Sequence, residues 1–580
     1  VLVHIRQLLK ENSPLVYVLL GLVSGSVVWF GVSFWPKHDP WSAAAILAVI
    51  SAVVVMALTL MLTIGPGFTR QLGVLTLLLG GAFALVSVWL IVQLPDPPLS
   101  ANRGGNVLTV SWSLSSIVLT YILLPFIQAW PGRHQGRYRY RDLYCHSWDN
   151  FFILLVAGML TLAYWLLMVL WVMLFKMVGI SLFETLFFNV FFPCLSLPVV
   201  FSLGIRLARS HEKIIGALRN IAQSLCFFLM PLTALITLIF AASLPFTGLQ
   251  PVWDTGYSTP ILLCLIGANL LFVNGIFQDG ETRPYRSTLA HLTEVALLVL
   301  PVYAVIGVYS VYLRIDQYGV TPNRFFLMVL VIVASCYSFV YALAVLRRTP
   351  VWLGAIRQGN QMIALLICLL ILLIHSPLLN PLAWSARDQL NRLLSEKISA
   401  QDFDFGALKF HFGSPGLNAL QHLRQLPEHE PLAESLQTWL TAVDEATSYY
   451  QWKNHKQSDG ISDQPMVEFI EGNGSVPDGF LQLLGENQCR KNICYLLAAD
   501  FDHDGVDELL FFDMDDRWVA PDLYDQQDDG LWKREGTVGQ GLNKERRHEL
   551  IDRLKQQHYR LVAPPYQALQ VGEAVYLFER

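Results

Sequence analysis

The stretch FFILLVAGMLTLAYWLLMVLWVMLFKMVGI, Phe151 to Ile180, carries one charge, Lys176, in thirty residues. A helix that is apolar on every side has no face for water, and its length exceeds the roughly twenty residues that carry a helix across a bilayer core about 30 Å thick. Because a backbone in lipid must satisfy its own hydrogen bonds, the run reads as a membrane-spanning helix.

Working outward, ten further runs meet the same criterion: 15–34, 43–64, 72–94, 107–130, 183–205, 224–244, 260–277, 289–313, 325–346 and 362–382. The first is followed by Trp35-Pro36-Lys37-His38-Asp39-Pro40, with no small-residue cleavage site, so it reads as a retained helix. The whole chain is 54% hydrophobic and only 15% charged, whereas soluble domains average about a quarter charged. That average changes near Leu382, after which charge and turn residues return at ordinary density. The expected fold is a membrane all-α helical bundle of about eleven transmembrane helices with a C-terminal α+β soluble domain. The expected division is 1–382 for the bundle, 383–460 for a helical juxtamembrane region and 461–580 for the α+β domain.

Lys and Arg distribution supplies the phase. One set of alternate connections holds Arg6, Lys10, Arg70, Arg133, Arg137, Arg139, Arg141, Arg206, Arg209, Lys213, Arg219, Arg283, Arg286, Arg347, Arg348 and Arg357. The other set holds Lys37, Arg103, Arg314 and Arg324, with Lys176 near an end. Loops retained in the cytoplasm keep basic residues, so the N-terminus is expected inside and the C-terminal domain outside. The net charge of −5, with no long basic tract interleaved with aromatics, excludes nucleic acid as an expected partner.

Of the eight cysteines, Cys194, Cys226, Cys264, Cys336 and Cys368 fall in apolar runs, where a thiol behaves as a small hydrophobe, and Cys145 lies in a basic loop. Cys489 and Cys494 are the only pair in the soluble domain, and an oxidising compartment would join them as a disulfide. Amphipathic helices are expected over 384–398 and 432–450, flanking a Phe-rich stretch at 403–416.

The sharpest chemical motif is Asp500-Phe501-Asp502-His503-Asp504-Gly505-Val506-Asp507-Glu508. Asp500, Asp502 and Asp504 alternate, Gly505 permits a sharp turn, and Glu508 can close an oxygen cage of the kind that suits calcium. The twelfth position is Phe511, where an EF-hand places a bidentate Glu, and strand-like runs flank the loop. It resembles the strand-loop-strand calcium loops of integrin-type extracellular repeats over about a dozen residues. A bound calcium would be structural; the alternative is an acidic β-turn with solvated carboxylates, Asp513, Asp515 and Asp516 among them.

Ionisable or amide side chains at membrane depth are costly and mark candidate sites. Glu184 and Asn189 stand at the start of one run, Asn269 and Asn274 share another, and His291 and Glu294 stand three residues apart at the basic end of a third, a spacing that puts them on one helix face. The outer loop Arg314 to Arg324 brackets Asp316 between arginines, either as a turn or as a site for an anionic headgroup or sugar. Residues 138–150 read as a basic and aromatic interfacial anchor for the next helix.

Trp148-Asp149-Asn150 at the mouth of the long span, Leu174-Phe175-Lys176 at its far end and Tyr318-Gly319-Val320-Thr321-Pro322-Asn323-Arg324 before another span together resemble a bacterial family of polytopic inner-membrane proteins catalogued only as a domain of unknown function. The resemblance covers most of the membrane half. It implies a bacterial cytoplasmic membrane with a periplasmic C-terminal domain, and it supplies no activity or catalytic residues.

Three functions compete. An envelope sensor, scaffold or assembly factor would use the bundle as a platform in the lipid bilayer and the calcium-stabilised domain to meet a periplasmic protein partner or a second copy. A transporter or flippase would need a polar cavity at Glu184, Asn269 or Asn274, and no internal repeat or paired broken helices mark one. A membrane enzyme on lipid-linked substrates would need more than Asp316 in an outer loop, and no P-loop, HExxH, GxSxG or Rossmann pattern occurs in a supporting context. The platform reading leads, and an enzyme is disfavoured.

Overall fold

The structure is a computed structural model. It describes residues 13–35, 40–65, 68–92, 103–133, 135, 137–254, 257–278, 284–347, 349–426, 431–446, 448–458, 466–470, 476, 480, 489, 493–501, 505–514, 518–527, 532–537, 542–556, 569–571 and 574–576. The chain divides into two compact units, Val1–Tyr449 and Tyr450–Arg580.

The first unit is helical. Its helices are α1 (Pro14–Ser33), α2 (Pro40–Thr63), α3 (Arg70–Val92), α4 (Arg103–Gln128), α5 (Tyr140–Met177), α6 (Leu182–Phe187), α7 (Phe191–Ser210), α8 (Glu212–Thr247), α9 (Gln250–Asp254), α10 (Ser258–Phe277), α11 (Ser287–Tyr318), α12 (Pro322–Leu346), α13 (Ile356–Ile374), α14 (Pro381–Leu394), α15 (Phe405–Phe410), α16 (Gly413–Arg424) and α17 (Pro431–Glu445). Among the described residues eleven are long and apolar enough to cross a membrane: α1 to α5, α7, α8 and α10 to α13. The chain is therefore a polytopic membrane protein in contact with the lipid bilayer. Side chains such as Leu77, Leu85, Ile117 and Phe228 stand exposed on these helices, as lipid solvation allows.

Several span boundaries differ from the sequence reading, among them the start of α8, at Glu212 rather than at 224. The apolar run at 183–205 is split, because residues 188–190 leave the helix and the Asn189 side chain accepts the Phe191 amide at 3.0 Å, competing with the backbone ladder. Glu184 and Asn189 consequently precede the span α7 rather than opening it. The long span begins at Tyr140, eleven residues before the apolar core at Phe151, since nothing between them interrupts a helix. At 1.5 Å per residue its 38 residues reach about 57 Å, well past the hydrocarbon core. At the other extreme, the run at 362–382 stops at Ile374. A turn through Pro377 leads to Asn380, whose side chain accepts the amides of Leu382 (3.0 Å) and Ala383 (3.4 Å) and, with Pro381 at the first helical position, starts α14.

Helices approach closely where side chains are small. A methyl on Gly204 would lie 2.9 Å from the Ala157 Cα, so α7 and α5 meet nearly backbone to backbone, and Gly25 of α1 similarly abuts the Cys194 carbonyl of α7. Buried clusters form around Phe83, Trp112 and Leu119, around Tyr17, Met61 and Ile205, and around Met230, Ile266, Leu300, Tyr303 and Tyr341. Helix α14 packs on α12 and α16, and Lys409 of α15 donates to the carbonyls of Val443, Asp444 and Ala446, capping the end of α17.

The second unit is α+β. After α18 (Tyr449–Ser458) come β1 (Val467–Phe469), β2 (Cys494–Ala499), β3 (Glu508–Phe512), β4 (Trp518–Val519), β5 (Asp522–Gln526), β6 (Trp532–Thr537), β7 (Leu542–Asn543), α19 (Lys544–Lys555), β8 (Leu569–Val571) and β9 (Ala574–Tyr576). The five-stranded sheet runs β1-β2-β3-β5-β6, with β1 parallel to β2 and the other pairs antiparallel. Strand alternation sorts its core: Leu497, Leu510 and Phe512 pack with Ile551 and Leu554 of α19, whereas Leu496, Leu509 and Phe511 pack with Phe480 and the two cysteines.

Candidate functional site

The first four turns of α5 separate two cavities. Helical spacing turns His146, Asp149, Asn150 and Ile153 to one and Tyr140, Leu143, Tyr144, Ser147, Trp148 and Phe151 to the other. Both cavities lie at the arginine-rich end of the bundle, since their walls come from the ends of α2, α4, α7 and α10 and the starts of α3, α5, α8 and α13.

The first, of about 590 Å³, is polar and charged. Gln128 and Asn150 exchange reciprocal amide hydrogen bonds of 3.1 and 2.8 Å, and Gln128 also donates to the Leu62 carbonyl at 3.0 Å. Arg219 pairs with Asp149 at 2.7 Å. Arg209 donates to the Met61 carbonyl (2.7 Å) and the Ile64 carbonyl (2.6 Å), covering the C-terminal end of α2. Much of its polarity is thus spent on holding helix ends together.

The second, of about 430 Å³, has aromatic walls and an uncharged polar floor. Asn274 donates to the Tyr341 hydroxyl (2.7 Å), which donates to Asn360 Oδ1 (2.8 Å); Asn360 Nδ2 donates to Asn274 Oδ1 (2.7 Å) and to the Tyr140 hydroxyl (2.8 Å). Four helices, α5, α10, α12 and α13, are joined by this network. Within it the amide hydrogens of Asn274 and Asn360 and the Tyr341 hydroxyl all meet acceptors, which makes it a rigid feature of the floor.

At the opposite end of the spans, the loop after α11 is a knot. Arg392 donates to the carbonyls of Ile315 (3.3 Å), Asp316 (2.7 Å) and Gln317 (3.0 Å), and Gln389 to those of Tyr318 (3.2 Å) and Val320 (3.1 Å). Arg324 donates to Tyr318 O (3.1 Å) and Gly319 O (2.8 Å) with its guanidinium 5.2 Å from the Tyr318 ring centroid. Asp388 accepts the Val320 amide at 2.7 Å. Gly319 has φ +75°, so the chain can leave α11 abruptly at this point.

The remaining candidates are dispersed. Asn269 is fully buried, donating to Thr237 Oγ1 (2.8 Å) and the Leu265 carbonyl (2.9 Å). Tyr303 donates to the Thr237 carbonyl, and neither cavity includes Asn269. Asn274 does line the second cavity. Glu184 pairs with Lys176 at 2.8 Å on an exposed surface. His291 bonds the Ser287 carbonyl at 2.6 Å, while Glu294 accepts from Trp352 Nε1 at 2.8 Å.

In the second unit Cys489 and Cys494 form a disulfide, with Cα atoms 5.4 Å apart. Asp502 and Asp504 lie outside the described residues, as do Asp515 and Asp516. Around them, Asp500 Oδ2 accepts the Gly505 amide at 3.2 Å and Glu508 Oε2 accepts the Phe501 amide at 2.6 Å. Gly505 has φ +92°, and Asp500 Oδ1 is buried without a hydrogen-bond partner among the described residues.

Tyr140, Tyr144, Asn360 and Gln361 of the second cavity were not legible as candidates because they lie outside the apolar runs read from sequence, and Tyr337, inside one, is neither charged nor an amide. Their signal is the spacing 140, 143, 144, 147, 148, 151, visible only once the helix is started at Tyr140. No family model, curated protein or solved structure matches this chain.

Proposed function

We propose that this polytopic membrane protein is an envelope sensor, scaffold or assembly factor of a bacterial cytoplasmic membrane. In this reading the arginine-rich span ends face the cytoplasm, as positive-inside topology requires, and the α+β unit stands in the periplasm to contact a protein partner. Calcium binds the 500–508 loop and stabilises that unit; the buried Asp500 Oδ1, which has no hydrogen-bond partner among the described residues, and the placement of Glu508 beside the Phe501 amide support this part.

The observation that carries the platform reading over transport is the burial of Asn269, while Asn274, which does line a cavity, has its amide group bonded to Leu270, Tyr341 and Asn360. The Asn269 amide is enclosed with Thr237 and Tyr303 in a packed core rather than facing a passage. Against the enzyme reading, the Arg324 guanidinium is bound to the Tyr318 and Gly319 carbonyls, which gives it a structural role in the loop after α11.

The test is thiol accessibility in intact cells, with the six free cysteines replaced and the disulfide retained. Asn269→Cys should stay unmodified by a small hydrophilic methanethiosulfonate until the protein is unfolded. Labelling of native protein from either side would put transport first. Lys533→Cys should react with a membrane-impermeant maleimide from outside, and reaction only after lysis would overturn the periplasmic placement.

A further inference from the structure

The uncharged cavity beside α5 has the chemistry of a ligand site. Its volume, about 430 Å³, falls within the range of roughly 300–1,000 Å³ typical of small-molecule sites, which pair apolar walls with a few placed polar groups. Phe151 and Leu271, 48% and 54% exposed, line it and in a membrane face acyl chains, so a lipid-soluble molecule has a direct route in.

Hydrogen-bond direction defines what the floor can recognise. The Tyr140 hydroxyl accepts from Asn360 Nδ2 at 2.8 Å and the Tyr144 hydroxyl accepts from Gln223 Nε2 at 2.9 Å. An amide nitrogen can only donate, so each phenol keeps its own proton to give. Asn274 and Asn360 spend their groups on each other and on Tyr341 and therefore fix Tyr140 in place rather than contacting a ligand. Two oriented donors, no lining charge and the flat faces of Trp148 and Tyr337 select a planar, neutral head bearing hydrogen-bond acceptors. A phosphate or carboxylate head would be left without a cation among the lining residues.

We propose that this cavity binds an isoprenoid-quinone-type ligand, its head carbonyls accepting from Tyr140 and Tyr144 and its tail leaving past Phe151 and Leu271. The site needs only the bundle and does not depend on what the α+β unit contacts.

Decylubiquinone titrated into the full chain in nanodiscs should bind saturably at one site per chain. Tyr140→Phe removes one donor and keeps the ring, and should weaken binding about tenfold, the size of one hydrogen bond. Ala364→Trp fills the cavity and should abolish binding. Decylbenzene, which has the tail and a ring without acceptors, should bind at least tenfold more weakly. Absence of saturable binding to the wild-type chain, equal binding of decylbenzene, or unchanged affinity in Tyr140→Phe would each overturn the assignment. If Ala364→Trp does not fold, the Tyr140→Phe and decylbenzene measurements decide it.

Discussion

Arg209 of α7 donates to the Tyr17 hydroxyl of α1 at 2.7 Å, and that hydroxyl in turn donates to the Met61 carbonyl at 3.1 Å. One guanidinium thereby binds α1 to α7 while covering the carbonyl end of α2. Such an arrangement uses the rigid fork of Arg, which Lys lacks.

Arg209→Met should therefore destabilise the bundle by more than a surface charge deletion would. It removes the donor to the Ile64 carbonyl, at about 1–3 kcal/mol for a buried unsatisfied group, and leaves the Met61 carbonyl with the Tyr17 hydroxyl alone of its two side-chain donors. Thermal unfolding in detergent should show a clear fall in midpoint, with Tyr17→Phe costing less and Arg209→Lys intermediate. Equal midpoints for all three would refute the capping role.

Two glycines of the α5–α7 pair should respond oppositely to alanine. At Gly204 a methyl meets the Ala157 backbone and should cost about 1–3 kcal/mol by overpacking, whereas at Gly158 nothing lies within 4 Å. Gly158→Ala should be neutral or gain about 0.5–1 kcal/mol of helix propensity. Unfolding midpoints of the two variants measured side by side check this.

Reducing the Cys489–Cys494 bond should loosen the α+β unit selectively. A loop this short contributes about 2 kcal/mol in the chain-entropy model. Hydrogen exchange of β2 and β3 should accelerate in reductant while exchange in α11 and α12 stays unchanged. Acceleration throughout the chain, or none, would contradict a local staple.

Calcium should slow proteolysis of the 500–508 loop and raise the unfolding temperature of the same unit, and chelation should reverse both. Glu508→Gln can still accept the Phe501 amide but lacks the charge, so it should fold and lose the calcium response. A response retained in both Glu508→Gln and Asp500→Asn would place the ion elsewhere.

Tyr285, in the connection before α11, is buried and donates to the Phe227 carbonyl at 2.5 Å; burial pushes its hydroxyl up to about 12. A folded-state value raised above the ordinary 10 means that the neutral phenol contributes stability in full below about pH 10, and that this is lost as pH rises through about 12. The stability difference between wild type and Tyr285→Phe should be constant from pH 7 to 9 and shrink above pH 10. A difference that grew with pH would reverse the assigned sign.

The eleven spans were legible from the chain alone because lipid imposes a one-dimensional rule: about twenty apolar residues per crossing, whatever the neighbours. The same held for the α+β character of the C-terminal unit, where strand-like apolar runs and turn residues are local signals. Places where a side chain competes with the backbone were less legible. Asn189 ending one helix and Asn380 with Pro381 starting another depend on a single hydrogen bond or proline, which an apolar count does not weigh.

Partnership between distant polar residues was decided only in three dimensions. Glu184, Asn269, Asn274 and Arg324 were all visible as polar residues near or within the membrane, yet Lys176, Thr237, Tyr341 and the Gly319 carbonyl complete them, in part from elements far away in sequence. Arg392 and Gln389, which hold the loop after α11 from about seventy residues away, read in sequence as an ordinary polar helix face. Sequence thus determined which segments lipid would solvate, because transfer free energy belongs to each segment separately. Which amides closed on one another, and which tyrosines kept a free proton at a cavity, was decided by tertiary structure, because hydrogen bonds require a donor and an acceptor within about 3 Å and folding alone brings them there.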